Sequence, residues 1–380
     1  MKRRIAACAS SLLLCGLSAG FSGCASVSTG KAYAVNDYRT TMTFHDGFKI
    51  LQLADLHLGI ESDLKKQLAL VADAVEKTEP DLIVLTGDNF MYASKAIVNN
   101  LFKTLNELCW EQTNAHPTRL TKFAITYGNH DNQGDYPRYY CNSVIQKYVA
   151  KDGQEVSQGK FAAFVDYEDD NLFGLTNYFI DLVDDRAKEV DEVDVKYRLH
   201  VVDSNTYTFT GVKYGYDVIH EEQLLHAQNI HQNATSDKDY IGLCFFHIPF
   251  VQYEEAKAQY ESAGNPALVG QGEFRETVLF PYEDNGSYQM LRKANISAFI
   301  VGHNHRNYGD VIYNALSEKL TDKAIFSFGV KTTNQLYHDT DMLGYKVITL
   351  RDNMSQEAFL SIENVNENFK NVTSGGEYYE

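Results

Sequence analysis

From Lys49 to Ala54 the chain is almost unbroken in apolar character, which predicts a buried strand. The pattern changes after Asp63. Leu64, Leu68, Val71 and Val75 recur at spacings of 4, 3 and 4, one stripe of an amphipathic helix, with Asp63 placed to cap its first turn and Pro80 to end it. Leu82-Ile-Val-Leu85 is again a short apolar run, closed by Thr86-Gly87, so this stretch predicts a β-α-β unit with a buried parallel sheet. The alternation continues with a helix predicted over 94–112 and a strand over Phe123–Tyr127. Beyond 150, acidic loops such as Asp166–Asn171 separate strands predicted near 176–183 and 195–203. Helical segments near 219–230 and 250–262 flank a strand at 241–246, and another strand follows at 298–301. The end is strand-rich (324–329, 344–350 and 357–362), and the tail from Asn364 is polar. The class this pattern defines is α/β.

Composition narrows the picture. With 44% hydrophobic and 22% charged residues and only 6 Pro in 380, collagen-like, disordered and disulfide-scaffold classes drop out. The length admits two domains or one large α/β domain with long loops. A formal charge of −17 argues against stable binding of nucleic acid by phosphate neutralisation, which needs a basic face.

Met1-Lys-Arg-Arg4 is a basic start, and Ile5–Leu17 is an apolar and small-residue stretch too short to span a bilayer but sized for the core of a signal peptide. Phe21-Ser22-Gly23-Cys24 resembles the bacterial lipobox, in which small residues precede a cysteine that is acylated before the leader is cut off. A rival cleavage site, Ala32-Tyr33-Ala34, leaves plain secretion open. The expected organisation is a lipoprotein signal over 1–23, lipidation at Cys24, a flexible Ser/Thr/Gly/Ala tether over 24–40, a folded domain over 41–363 and a polar tail over 364–380. Such a protein is exported and anchored in the membrane, facing outside the cytoplasm. Of the three cysteines beyond the leader, Cys244 reads as a small buried hydrophobe, and Cys109 and Cys141 could pair in an oxidising compartment.

Five polar blocks sit where an apolar strand has just ended: Asp55-Leu-His57, Gly87-Asp88-Asn89, Gly128-Asn-His-Asp131, His247-Ile-Pro249 and Gly302-His-Asn-His305. Ligands of open α/β sheets bind at the carboxyl ends of the strands, so side chains far apart in sequence can converge there. Asp and Asn oxygen with His nitrogen suits Fe, Mn, Zn or Ni, and the absence of Cys argues against a structural zinc cage. A carboxylate such as Asp88 can bridge two cations. Two cations about 3.5–4 Å apart stabilise both oxygens of an in-line displacement and lower the pKa of a bridging water. Hydrolysis of phosphate esters is the reaction that needs this.

The order D-x-H, G-D, G-N-H-D, H and G-H-x-H resembles the calcineurin-like metallophosphoesterases. That resemblance implies a four-layer αββα fold, two mixed β-sheets packed as a sandwich with flanking helices. It implies two metal ions, of Fe, Mn or Zn, with Asp55, His57, Asp88 and His305 holding one and Asp88, Asn129, His247 and His303 the other. It further implies catalysis by His130, with Asp131 orienting its ring. Within the family, the His-Ile-Pro block, Asp203-Ser204, Tyr214-Gly-Tyr216 and Gly270-Gln-Gly-Glu273 look most like the branch related to purple acid phosphatases. Those enzymes carry a Tyr ligand where this chain has Met91. The substrate class implied is a phosphate monoester or diester, and the acidic net charge, which would repel a long polyanion, favours a small one: a nucleotide, sugar phosphate or lipid head group. A catalytically silent or metal-handling surface lipoprotein of the same fold is the alternative. Arg306 is either a substrate-phosphate contact or a surface charge, and Tyr92, Tyr127 and Tyr136 lie where they could stack on a base. The spacing of His220, His226 and His231 reads as solvated polar residues.

Overall fold

A computed structural model of the chain describes residues 35–366 apart from 60–61, 135–137, 152, 168, 170, 185–193, 210, 234–239 and 353–358. The leader, Cys24, Tyr136 and the end of the tail lie outside the described residues. In chain order the elements are β1 (Arg39–Phe44), β2 (Phe48–Leu53), α1 (Leu64–Thr78), β3 (Leu82–Thr86), α2 (Lys95–Ala115), β4 (Lys122–Thr126), α3 (Arg138–Ile145) and α4 (Glu155–Gln158). They continue with β5 (Tyr178–Asp184), β6 (Val195–Val201), β7 (Tyr207–Phe209), β8 (Tyr214–Tyr216), α5 (Glu221–Asn233), β9 (Ile241–Phe245), α6 (Gln252–Ser262) and β10 (Gly270–Gln271). The last are α7 (Ser287–Arg292), β11 (Ile296–Val301), β12 (Asp310–Tyr313), β13 (Ala324–Phe328), β14 (Gly344–Leu350) and β15 (Leu360–Asn366). No helix among the described residues is long and apolar enough to cross a membrane.

The local signals act as expected where they are strong. Asp63 accepts a hydrogen bond from Lys66 N at the start of α1, and Ser94 does the same for Ile97 N at the start of α2. The folded part begins ahead of position 41: Val35–Tyr38 make a 3₁₀ turn, and Arg39 and Thr40 already pair with Phe179 and Ile180. The strand β15 likewise runs past 363 to Asn366.

One sheet has the order β15-β14-β2-β3-β4, the other β1-β5-β6-β9-β11-β13-β12-β10. The first is parallel through β2, β3 and β4 and antiparallel at β14 and β15; the second is parallel through β6, β9, β11 and β13. Alternation along β11 gives the layering. Ala298 and Ile300 join a core shared with Leu51, Ile83 and Ile125 of the first sheet, whereas Phe299 and Val301 join a second core with Leu224, Tyr253 and Leu291 from α5, α6 and α7. Helices α1 and α2 add Leu70, Val71, Leu101 and Phe102 to the first core. The result is the four-layer sandwich that the motifs implied.

The three cysteines Cys109, Cys141 and Cys244 are buried free thiols, so Cys109 and Cys141 are not paired here. The reading of His226 as solvated is corrected: it is 3% exposed, on the α5 face that also buries Gln223, Ala227 and Ile230. Its neighbours His220 and His231 are half-buried.

Candidate metal centre

The strands β2, β3 and β4 of one sheet and β9 and β11 of the other deliver all five blocks to one place. Asp55 follows β2, Asp88 follows β3, Asn129 follows β4, His247 follows β9 and His303 and His305 follow β11. The backbone bends sharply at these points. Asp55, His57, Asp88 and His303 have φ of +56°, +47°, +49° and +75°, a region in which Asn, Asp and His are over-represented among residues other than glycine. Gly128 serves a different need, close approach: a Cβ on it would lie 2.3 Å from Asp88 Oδ1 and 2.5 Å from His247 Cδ2.

Two groups of buried ligating atoms result, Asp55, His57, Asp88 and His305 in one and Asp88, His247 and His303 in the other, each with its atoms within 4.8 Å. Asp88 belongs to both. Its Oδ2 lies 3.2 Å from His57 Nε2 and 3.2 Å from His247 Nε2, while Oδ1 accepts a 2.7 Å hydrogen bond from His130 N. Across the sheets, Asp55 accepts from His303 N through both oxygens at 3.1 Å and sits 3.5 Å from His305 Nε2.

The rings are oriented from behind. His247 Nδ1 donates to Thr86 O (2.9 Å), His305 Nδ1 to Tyr337 O (2.9 Å) and His57 Nδ1 to Asp55 O (3.0 Å), which turns each Nε2 inward. His57 Nε2, His303 Nε2 and Asn129 Oδ1 are buried without a hydrogen-bond partner. Orphaned lone-pair atoms of this kind are costly unless something electropositive meets them, so the residues present fit cations.

Electrostatics agree. Burial alone would raise the Asp88 carboxyl, but the charge and then the hydrogen bond of His247 hold it well below the carboxylate range. Burial would lower His247, yet the charge and hydrogen bond of Asp88, then the Asp55 charge, bring it up to about 9, a sign that the field at this spot favours positive charge. His57 is pushed down to about 4 by burial and next by the Lys331 charge, and His303 to about 3 by burial and next by His247, which leaves both rings neutral as ligation requires.

The sequence assignment needs one correction. Asp131 does not orient His130. Its carboxylate accepts from Gly128 N (2.8 Å), Phe90 N (2.8 Å) and Asn89 Nδ2 (3.1 Å), tying the loops after β3 and β4 together, while His130 Nδ1 is held by Gln133 Oε1 at 2.9 Å. The His130 ring stands edge-on to His57, centroids 5.0 Å apart, and is half-buried beside the first group. Arg306, read as either a substrate contact or a surface charge, donates from Nε to Asp339 Oδ2 at 2.9 Å. Of the tyrosines near the blocks, Tyr127 is buried with its hydroxyl on Asn142, and Tyr92 is exposed.

Other residues support the site from behind, and of these only the Asp203-Ser204 pair stood out in the sequence. Lys331, buried, donates to Asp55 O at 2.9 Å and lies 3.2 Å from His57 Nδ1. Ser204 Oγ accepts from His247 N and Ile248 N, and Asp203 receives Arg138 Nη1 on both oxygens at 2.8 Å.

Two mixed sheets with a shared-carboxylate ligand array at their strand ends define a hydrolase-type candidate site for two metal ions. The chain belongs to the calcineurin-like phosphoesterase family, whose model matches residues 48–307. It is 28% identical over 278 residues to phosphatase DCR2 of Saccharomyces cerevisiae, covering 68% of this chain and 44% of the yeast protein, so it spans less than half of that relative's length. A probable inactive purple acid phosphatase 28 of Arabidopsis thaliana is 25% identical over 291 residues, covering 68% of this chain and 66% of the plant protein. Among solved structures, a dimetal phosphatase from Danio rerio aligns over 81% of this chain and 94% of its own, at 12% identity and a TM-score of 0.43.

Proposed function

We propose that the chain is a binuclear metal-dependent phosphoesterase acting on phosphate monoesters or diesters at the cell envelope. The observation that carries this reading is the position of Asp88 between His57 and His247, 3.2 Å from each, with Asp55 and His305 on one side and His303 on the other. Two cations in these groups would polarise the phosphoryl group and stabilise the entering and leaving oxygens of an in-line displacement. The residues themselves bind and orient. Asp55, His57, Asp88 and His305 would hold one ion, and Asp88, Asn129, His247 and His303 the other. His130, its Nδ1 fixed by Gln133, presents Nε2 as the proton donor to the leaving alkoxide. Fe, Mn and Zn all suit this donor set.

The test is metal content by mass spectrometry on protein purified without chelator, with hydrolysis of p-nitrophenyl phosphate and bis-p-nitrophenyl phosphate before and after stripping and re-addition of metal. About two metals per chain and metal-dependent turnover are expected, and Asp88→Asn should lose most of both. Full turnover in Asp88→Asn would overturn the assignment. Bound metal without turnover of either ester would favour the metal-handling alternative.

The envelope location rests on the basic start, the apolar stretch and the lipobox-like Phe21–Cys24. Cys24→Ser is expected to release the protein from membranes, and unchanged membrane association would remove the lipid anchor from the reading.

A further inference from the structure

We propose that tyrosines seated on the two histidines of the Gly302–His305 block form a subsite for a flat ring on the substrate's alcohol, so that aryl or nucleoside phosphate esters are favoured over aliphatic ones; this rests on the phosphoesterase reading above. Tyr337 stacks on His305 with centroids 4.3 Å apart at 26°, and Tyr216 meets His303 edge-on at 4.5 Å and 90°. His305 and His303 belong to different ligand groups, so the two rings approach the cluster from its two ends. Behind Tyr216, Tyr207 stacks at 5.4 Å and 27°, and its hydroxyl accepts from Asn129 Nδ2.

These rings touch or back residues that are almost fully buried, yet Tyr337 remains 51% exposed and Tyr207 44%. The wall is thus packed on the cluster on one side and open to solvent on the other. Aromatic faces held this way accept another flat ring, whatever its hydrogen-bonding edge, with a gain on the order of tenfold in binding.

The charges at the same mouth point away from a polyanion. Arg306 is bound to Asp339, and Arg275 to Glu273, Asp339 and Asp341. Glu276 adds a carboxylate close enough to Tyr337 to raise its hydroxyl pKa, second only to burial. A second phosphate group on the substrate would meet more carboxylate than guanidinium here, whereas an uncharged ring loses nothing.

The experiment uses full-length, metal-loaded protein and two phosphonates that cannot be hydrolysed. Phenylphosphonate and methylphosphonate are titrated calorimetrically into wild type, Tyr337→Leu, Tyr216→Leu and Tyr337→Phe, with kcat/KM for phenyl phosphate measured in parallel. Phenylphosphonate is expected to bind wild type about tenfold more tightly than methylphosphonate. That ratio should fall toward one in either Leu variant and persist in Tyr337→Phe, which keeps the ring. Equal affinities in wild type, or a ratio untouched by both Leu substitutions, with phenyl phosphate still hydrolysed, would overturn the subsite alone. No binding of either phosphonate and no metal-dependent turnover of any ester would remove the phosphoesterase reading and the subsite with it.

Discussion

Asn129 Nδ2 donates a 2.8 Å hydrogen bond to the Tyr207 hydroxyl, and the other end of the same amide, Oδ1, is buried without a hydrogen-bond partner. The tyrosine fixes which way the amide faces and so presents an oxygen where a second cation would sit. Tyr207→Phe keeps the ring and removes only that restraint. Affinity for the second metal should fall roughly 10–100-fold, with the first site and the fold unchanged, as read by metal competition titration and circular dichroism. Equal loss at both sites would point to general damage instead.

The histidine at the mouth and the two residues beside it separate three roles. His130→Ala should lower kcat by about 10²–10⁴ while both metals stay bound. Gln133→Ala should lower kcat by a smaller factor, because the ring loses the partner of Nδ1 and nothing else. Asp131→Ala removes the acceptor of three N–H groups at once and should show first as a lower unfolding midpoint. Activity loss in Asp131→Ala at full stability would restore it to the catalytic step.

Gly128→Ala is the smallest change that should disturb the centre. Its methyl group would have to displace Asp88 or His247, with approaches of 2.3 and 2.5 Å that real contacts do not show. A cost of about 1–3 kcal/mol in urea unfolding is expected, with reduced metal content. Wild-type stability and stoichiometry in this variant would mean that the loop shifts freely.

Away from the centre, His226 gives a pH signature. Burial pushes its pKa down to about 4 from an ordinary value of 6.5, with the Asp169 charge opposing. Between those values the unfolded chain takes up a proton that the folded chain refuses, so stability falls as pH drops from 6.5 toward 4 and is insensitive to this group outside that window. His226→Gln cannot titrate. The wild-type loss across this window should exceed that of the variant by at most about 3 kcal/mol in pH-dependent urea unfolding. Parallel curves would show that His226 is not protonated on unfolding there.

The ligands were legible because each is a metal-binding residue type beside a turn glycine or at the end of an apolar run, and both signals are local. The roles of their neighbours were not. Asp131 reaches back to Gly128 N through a 3₁₀ turn and across to Phe90 N, a geometry that adjacency to His130 hides. Lys331 sits in Gly-Val-Lys-Thr-Thr, where nothing marks it as buried under Asp55. The hairpin β7–β8 has strands of three residues, too short to carry a period, so Tyr207 was invisible as a partner of the centre, and Tyr216 stood out only as part of the Tyr214-Gly-Tyr216 block with no role attached. In β1 the threonines mask an alternation whose buried members are Met42 and Phe44. For His226 a signal existed: Gln223, Ala227 and Ile230 mark its helix face, which the spacing to other histidines did not reveal.

Four of the ligands occupy left-handed backbone, and this limits how the centre can change. Asp and His, with Asn, are the residues that tolerate such conformations best after glycine, and they are also hard or borderline donors. Swapping one for Cys to recruit a softer ion, or for a β-branched side chain to close the site, would cost main-chain energy in addition to a coordinate bond. Retuning the metal preference through the ligands themselves is therefore disfavoured twice over. Divergence in this chain has its freedom in the residues behind the ligands, such as Lys331, Tyr207 and Ser204, which can alter the donor atoms' basicity and aim without moving the backbone that carries them.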